Sequence, residues 1–236
     1  MAVDAVIFDW GGTLTPWKTM DGRGWWRIAA ELAAAGLVTA DRVDEVGALL
    51  NAAEEETWRR SREDHRSGTL AEILAAAGLT PDDAIHAIHA AEWDWATYLD
   101  PEAPAVLRAL RERDIRVGVL SNTVWPRSRH EQIFVRDGID HLIDGAVYTC
   151  EIPWTKPHPM AFLAAMEAVG ATDPARCVFV GDRPFDDIYG ARQTGMQAVL
   201  LPHSEIPDVQ RGHTDGEPHA VIARLADLVP VVDAWR

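Results

Sequence analysis

The chain predicts an α/β protein: a parallel sheet of five or more strands flanked by helices, with an all-helical cap inserted after the first strand. Three observations carry this. Short apolar runs recur between helical stretches and end in polar or glycine residues, as in Val3–Leu14, which reads VDAVIFDWGGTL. From about Trp25 to Tyr98 the pattern is helical, with no strand between. From Pro101 onward helix and strand alternate, and strands separated this way pair in parallel through right-handed crossovers.

Val3, Ala5, Val6, Ile7 and Phe8 form the first buried strand; Asp9 ends it, and Gly11-Gly12-Thr13 turns the chain. Thr15–Gly24 reads as a loop or flap. Trp25–Ala35 is a helix that stops at Gly36, a suitable C′ residue. Thr39 caps a long segment through Val43, Val46, Leu49, Leu50 and Trp58, and Thr69–Ala77 is a short helix closed by Gly78. Thr80-Pro81-Asp82-Asp83 starts a fourth helix, reaching Trp95 and Tyr98, with a capping hydroxyl, a proline in the first turn and acids near the amino end. Then come a helix at Glu102–Arg113, a strand at Ile115–Leu120, a helix at Arg127–Asp137 and a strand at Ala146–Thr149. A proline-rich loop, Trp154–Pro159, surrounds Lys156 and leads into a helix at Met160–Val169. Arg176–Val180 is a strand, Asp187–Thr194 a helix stopped by Gly195, and Gln197–Leu200 the fifth strand, with a helix near Ala220–Leu228 in the tail. The expected organisation is a Rossmann-like core from residues 1–15 and 99–236 and a helical cap domain at 16–98.

At 236 residues and 47% apolar, the chain can bury one sizeable core and a smaller accessory domain. The balance of 37 acidic against 22 basic residues argues against nucleic acid as a partner, because such a surface needs a basic stripe. A single Lys and Arg can still form a pocket for a small anion; Lys18 and Lys156 are the only lysines. Cys150 and Cys177 fit no zinc or redox spacing and read as small buried hydrophobes in a reducing compartment. There is no basic-then-apolar leader and no apolar run of membrane-span length, so a soluble cytoplasmic protein without a membrane partner is expected.

In a parallel sheet the strand ends share one edge, where open α/β sheets place their chemistry. Asp9, Ser121-Asn122, Lys156, and Asp182 with Asp187 therefore converge. Asp9 and Asp182, with Asp187 behind them, suit Mg²⁺, a hard ion that takes oxygen ligands. Ser121 and Lys156 are donors suited to phosphoryl oxygens, and Asp9 is then placed to attack and form an aspartyl-phosphate. Trp17, Trp25 and Trp26 cluster where flap meets cap, packing the two together, and part of the cluster can wall a substrate pocket. Lys18, Arg23, Trp125 and Arg183 are further candidates to line it, while Trp10 is expected to point into packing behind the site.

Phe8-Asp9-Trp10-Gly11-Gly12-Thr13-Leu14, Leu120-Ser121-Asn122, Lys156-Pro157-His158-Pro159, and Val180-Gly181-Asp182 through Asp187 together resemble the four motifs of the haloacid dehalogenase-like hydrolase superfamily. The resemblance is to members with a helical (C1-type) cap and runs from about Val3 through Pro202. It implies Asp9 as nucleophile, Ser121 and the adjacent Asn122 as phosphate-binding, and Lys156 as the cation that neutralises phosphate and nucleophile. It further implies Asp182 as metal ligand, Asp187 as support to the metal shell, Mg²⁺ as cofactor and a small phosphorylated metabolite as substrate.

The match departs at Gly11, where the family's phosphatases carry a second Asp that acts as general acid and then base. The resemblance leaves Gly11 its backbone carbonyl as a metal ligand but implies loss of a proton shuttle, an effect of about 10²- to 10⁴-fold. Two branches without that acid fit less well. The dehalogenase branch does not use the metal and loses the pairing kept here as Gly181-Asp182; the phosphonoacetaldehyde-hydrolase branch needs a cap lysine, and Trp25–Tyr98 contains none. His86 and His89 are the cap's candidates by type for a replacement acid–base group, against a plainer reading as neighbours on an exposed helical face, and His65 and Asp64 are open to the same two readings. The expected function is a phosphatase-like hydrolase acting through Asp9. The alternative, resting on the same Gly11, is a member that binds a phosphorylated ligand or a protein partner without hydrolysis.

Overall fold

The strand β1 (Ala5–Phe8) reads AVIF and β4 (Cys177–Gly181) reads CVFVG, and both are buried at every position, as strands covered on two faces must be. The computed structural model describes residues 2–16, 24–82, 84, 97–202 and 217–236. With β2 (Arg116–Ser121), β3 (Gly145–Tyr148), β5 (Gln197–Leu200) and β6 (Ala220–Val221), these strands form one parallel sheet in the order β3-β2-β1-β4-β5-β6.

Period-2 alternation sorts the strand side chains between two cores. Val6, Phe8, Val178 and Val180 meet α4 (Ala103–Arg111), α5 (Arg127–Arg136) and α8 (Leu228–Trp235) through Leu107, Ile133 and Leu228. Ala5, Ile7, Cys177 and Phe179 meet α6 (Pro159–Ala168) and α7 (Gly190–Thr194) through Phe162, Met166 and Ala191. The result is a Rossmann-like core.

Between β1 and α4 the described residues are helical and carry a core of their own. Here α1 (Gly24–Ala34), α2 (Val43–Asp64) and α3 (Leu70–Ala76) bury Trp25, Ile28, Leu32, Val46, Leu50, Leu70 and Leu74 together. Thr69 and Glu72 close a reciprocal capping box at the start of α3. The helix predicted from Thr80 is seen at Pro81, Asp82 and Ala84; the stretch 85–96, with His86, His89 and Trp95, lies outside the described residues, and Tyr98, its expected end, is not helical.

Two elements differ from expectation. The tail helix expected at Ala220–Leu228 is instead β6 followed by a 3₁₀ turn at Leu225–Asp227, and α8 begins at Leu228. The open edge of β5 claims this segment: Val199 pairs with Ala220, and the His219 amide donates to the Ala198 carbonyl at 2.8 Å. Pairing with an existing sheet edge overrides local helical pattern. The helix expected at Asp187–Thr194 is preceded by a π-helical turn at Pro184–Tyr189, and α7 proper starts at Gly190. Among the described residues no helix is long and apolar enough to cross a membrane.

Behind the strand ends lies a buried polar oddity. His130 on α5 packs at a tilt against Tyr148, centroids 4.4 Å apart, and lies 6.2 Å from Trp10, with neither ring nitrogen hydrogen-bonded among the described residues. Burial, with Arg129 and Arg127 nearby, pushes its pKa down to about 3. The unfolded chain therefore takes up a proton near pH 6.5 that the folded one refuses, so stability present at neutral pH falls as pH drops from about 6.5 toward 3. His130→Phe is expected to flatten that loss, read as a smaller drop in urea midpoint between pH 7 and pH 5 than in the natural chain.

Candidate active site

The sheet order reverses direction between β1 and β4: β2 and β3 lie to one side, β5 and β6 to the other. That switch opens a crevice beyond the carboxyl ends of the two strands. Phe8 pairs with Val180, and the Asp9 amide donates to the Val180 carbonyl at 2.9 Å, so Asp9 and Asp182 leave the sheet side by side. Both side chains are buried, as is Asp187 on the π-helical turn. Carboxylate oxygens of Asp9, Asp182 and Asp187 all lie within 4.8 Å of one another.

Lys156 enters this acidic cluster from the loop after β3. Its buried Nζ donates to Asp9 Oδ1 and Asp187 Oδ1, each at 2.6 Å. Burial alone would lower the ammonium's pKa, but Asp187 and Asp9 outweigh it and hold the group above the usual lysine value. The Asp9 carboxyl is pushed up by burial, opposed by Lys156 and reinforced by Asp187. Asp182 is likewise raised, by burial and then by Asp9 and Asp187, with Arg183 and Lys156 opposing. The Asp187 carboxylate is fully engaged, because Oδ2 accepts the Arg183 amide at 2.9 Å. Asp182 Oδ1, by contrast, is buried with no hydrogen-bond partner among the described residues.

These groups fit a divalent cation. Three buried carboxylates, with Asp186 beside them, face Lys156 and the Arg183 guanidinium, whose Nε lies 3.3 Å from Asp182 Oδ2, so acidic groups outnumber the cations here. An orphaned buried carboxylate oxygen in an all-oxygen cluster suits a hard ion.

Glycine makes this density of carboxylates possible. Gly12, at φ +99°, leaves room that a Cβ would close to 2.5 Å from Asp182 Oδ2, and a Cβ at Gly181 would stand 2.3 Å from Asp187 Oδ2. Neither close approach was read from the sequence, although the Gly-Gly turn and the Gly-Asp pair signalled tight backbone there.

The other predicted residues fall in different places. Ser121 is the buried last residue of β2, two positions beyond the Phe8–Val119 pair. Asn122 follows it, with its amide on the Lys156 backbone. Trp26 packs inside the cap, where a Cβ at Gly47 would come within 2.9 Å of its indole. Trp25 donates through Nε1 to Glu54 Oε2 at 2.5 Å, and Glu54 also accepts from Trp58. Trp125 sits against the cap core beside buried Val124. Arg183 is buried against Asp182, and Trp10 packs behind the strand ends at 5.0 Å from Phe134. His65 closes α2 in the left-handed conformation, and its carbonyl accepts the Thr155 amide at 3.0 Å. Trp17, Lys18 and Arg23 lie outside the described residues.

A family model described as haloacid dehalogenase-like hydrolase matches residues 3–195. The chain is 32% identical to the glyceraldehyde 3-phosphate phosphatase of Methanothermobacter thermautotrophicus over 49% of each protein, so that match spans about half of the relative's length. To the glyceraldehyde 3-phosphate phosphatase of Methanopyrus kandleri it is 27% identical over 98% of this chain and 97% of the other. Among solved structures, the HAD phosphatase from Thermococcus onnurineus superposes with a TM-score of 0.67 at 20% identity, covering 98% of each chain.

One expectation is corrected by these findings. The sequence reading set the chain apart by Gly11 in the position of an acid/base aspartate. What defines the site is the aspartate cluster of Asp9, Asp182 and Asp187 in a chain matched by the hydrolase model, not a glycine substitution. Gly11 lies in the turn after Asp9, bridged to Thr15, and takes nothing from that cluster.

Replacing Asp9 and Asp182 together by Asn is expected to weaken Mg²⁺ binding by more than about tenfold, and Gly12→Ala by about tenfold through displacement of Asp182. Titration calorimetry with MgCl₂ reads both; unchanged affinity in the double variant would remove the metal from this site.

Proposed function

The chain belongs to the haloacid dehalogenase-like hydrolase family, and from that premise we propose that it is a Mg²⁺-dependent phosphatase of a small phosphorylated metabolite, working through an aspartyl-phosphate on Asp9. The observation that supports this most directly is the buried Lys156 ammonium, 2.6 Å from Asp9 at the edge of an acidic cluster whose carboxylates suit a divalent cation. The phosphatase names of the relatives point to the same class of substrate.

Lys156 holds Asp9 by Oδ1 and so presents Oδ2 to the phosphorus. Attack by Oδ2 forms the new O–P bond as the bond to the ester oxygen breaks, and that oxygen takes a proton from solvent water to leave as the alcohol, a proton returned to solvent when the acyl phosphate is hydrolysed. Water then cleaves the acyl phosphate, returning the Asp9 carboxylate and releasing inorganic phosphate. The Ser121 hydroxyl at the end of β2 and the Lys156 ammonium from the loop before α6, both buried, are the donors for the phosphoryl oxygens, where charge accumulates. A bound Mg²⁺ would be held by Asp9 and Asp182, with Asp187 fixing the surrounding backbone, and supplies charge neutralisation at the phosphoryl group.

The test is phosphate release from a panel of small monoesters with Mg²⁺, beginning with glyceraldehyde 3-phosphate. At least one ester is expected to turn over, chelation of the metal to stop it, and Asp9→Asn to lower kcat by on the order of 10³-fold or more, as loss of a covalent nucleophile does. Full activity in Asp9→Asn, or no turnover of any ester, sinks the proposal.

A further inference from the structure

Asn122 has a different occupation from the one its position beside Ser121 suggests. Its Oδ1 accepts the Lys156 amide at 2.9 Å, and its Nδ2 donates to the Lys156 carbonyl at 3.1 Å. One side-chain amide thus closes a two-bond ring with the backbone of the lysine, much as a paired strand would. Lys156 needs such a hold. It lies in the irregular stretch between the 3₁₀ turn at Thr149–Glu151 and α6, and no strand ladder reaches it. Its ammonium sits at the end of a flexible four-carbon stem, so the anchoring of its backbone sets where Nζ stands.

From this geometry we infer that Asn122 is a positioning residue for Lys156: it fixes the lysine backbone so that Nζ stands between Asp9 and Asp187. The consequence for rate rests on the phosphatase reading; the positioning itself does not. The residue type is specific to the task. An aspartate keeps the acceptor but opposes the Lys156 carbonyl with charge, and an alanine keeps neither bond. The neighbouring residue is held from the cap side, where Ser61 Oγ donates to Thr155 Oγ1 at 3.0 Å and both side chains are buried. Asn122 supplies the hold from the sheet.

The composition of the chain permits a direct test, because Lys18 and Lys156 are its only lysines. In protein labelled with ¹⁵N-lysine, Lys18→Arg leaves one ammonium signal, that of Lys156, which burial in two ion pairs keeps in slow exchange with water. Asn122→Ala and the isosteric Asn122→Asp are then compared with the parent, with circular dichroism confirming the fold. The Lys156 signal is expected to move or broaden into fast exchange in each folded variant. In parallel, kcat is expected to fall by roughly ten- to a hundredfold, the range for residues that orient a functional group, with KM changed less than about twofold. An unmoved Lys156 signal in a folded variant overturns the inference whatever turnover does. A rise in KM at constant kcat also overturns it, since that is the mark of direct phosphate binding. The lysine signal needs no substrate, so failure of the phosphatase reading would leave this test intact and separately legible.

Discussion

The molecule depends on one buried ammonium shared between two carboxylates. Lys156 Nζ lies 2.6 Å from both Asp9 and Asp187, in a setting where a lone charge would be costly. Removing the lysine would leave two buried carboxylates without their shared cation, whereas removing either carboxylate leaves the ammonium paired with the other. The remaining carboxylate, Asp182, is the one without a full set of partners, and its uncompensated oxygen gives the site its appetite for a cation. Stability and chemistry are thus opposed at the same place: the lysine neutralises most of the acidity, and the surplus is left for ligands.

The sheet makes this cluster possible by geometry alone. β1 and β4 are neighbours although far apart in sequence, and each is followed by an aspartate, Asp182 standing one residue beyond the level of Asp9. Glycines then let the carboxylates approach more closely than side chains elsewhere allow, with Gly12 beneath Asp182 and Gly181 beneath Asp187. The cap is tied to the same region. The Leu70 amide donates to the Val124 carbonyl at 2.7 Å, the Ser67 amide to Pro153 at 3.2 Å, and Arg66 lies over Trp154 at 4.5 Å. The loop after Ser121 and the loop before Lys156 therefore each carry a bond from the helical region.

Much of this architecture was legible in the chain. Strands such as VIF before Asp9 and VFV before Gly181 are apolar enough to require burial on both faces, and their helical spacers leave parallel pairing as the simple solution. Convergence of Asp9, Asp182 and Asp187 then follows from topology. What the pattern could not convey was pairing at a distance. β6 is too short to announce itself, and only the open edge of β5 makes Ala220–Val221 a strand rather than a helix. Side-chain partnerships were hidden for the same reason: Trp26 looks like a pocket wall until Gly47 is seen beneath it, and Arg183 like a cleft residue until its ion pair with Asp182 is known. Gly11 was overweighted because a missing side chain is conspicuous in a motif, whereas the intact acidic cluster is visible only once the strands are assembled.

The reversal of the sheet between β1 and β4 also bears on how the chain is made. Asp9 is synthesised first of the four, and Lys156, Asp182 and Asp187 come more than a hundred residues later. On a ribosome, the first aspartate waits in a solvated, unremarkable state until β4 and the turn behind it have emerged and slotted beside β1. The acidic cluster is therefore completed only when β4 and its turn are in place, and a truncated product lacking β4 would own the proposed nucleophile without Asp182 and Asp187.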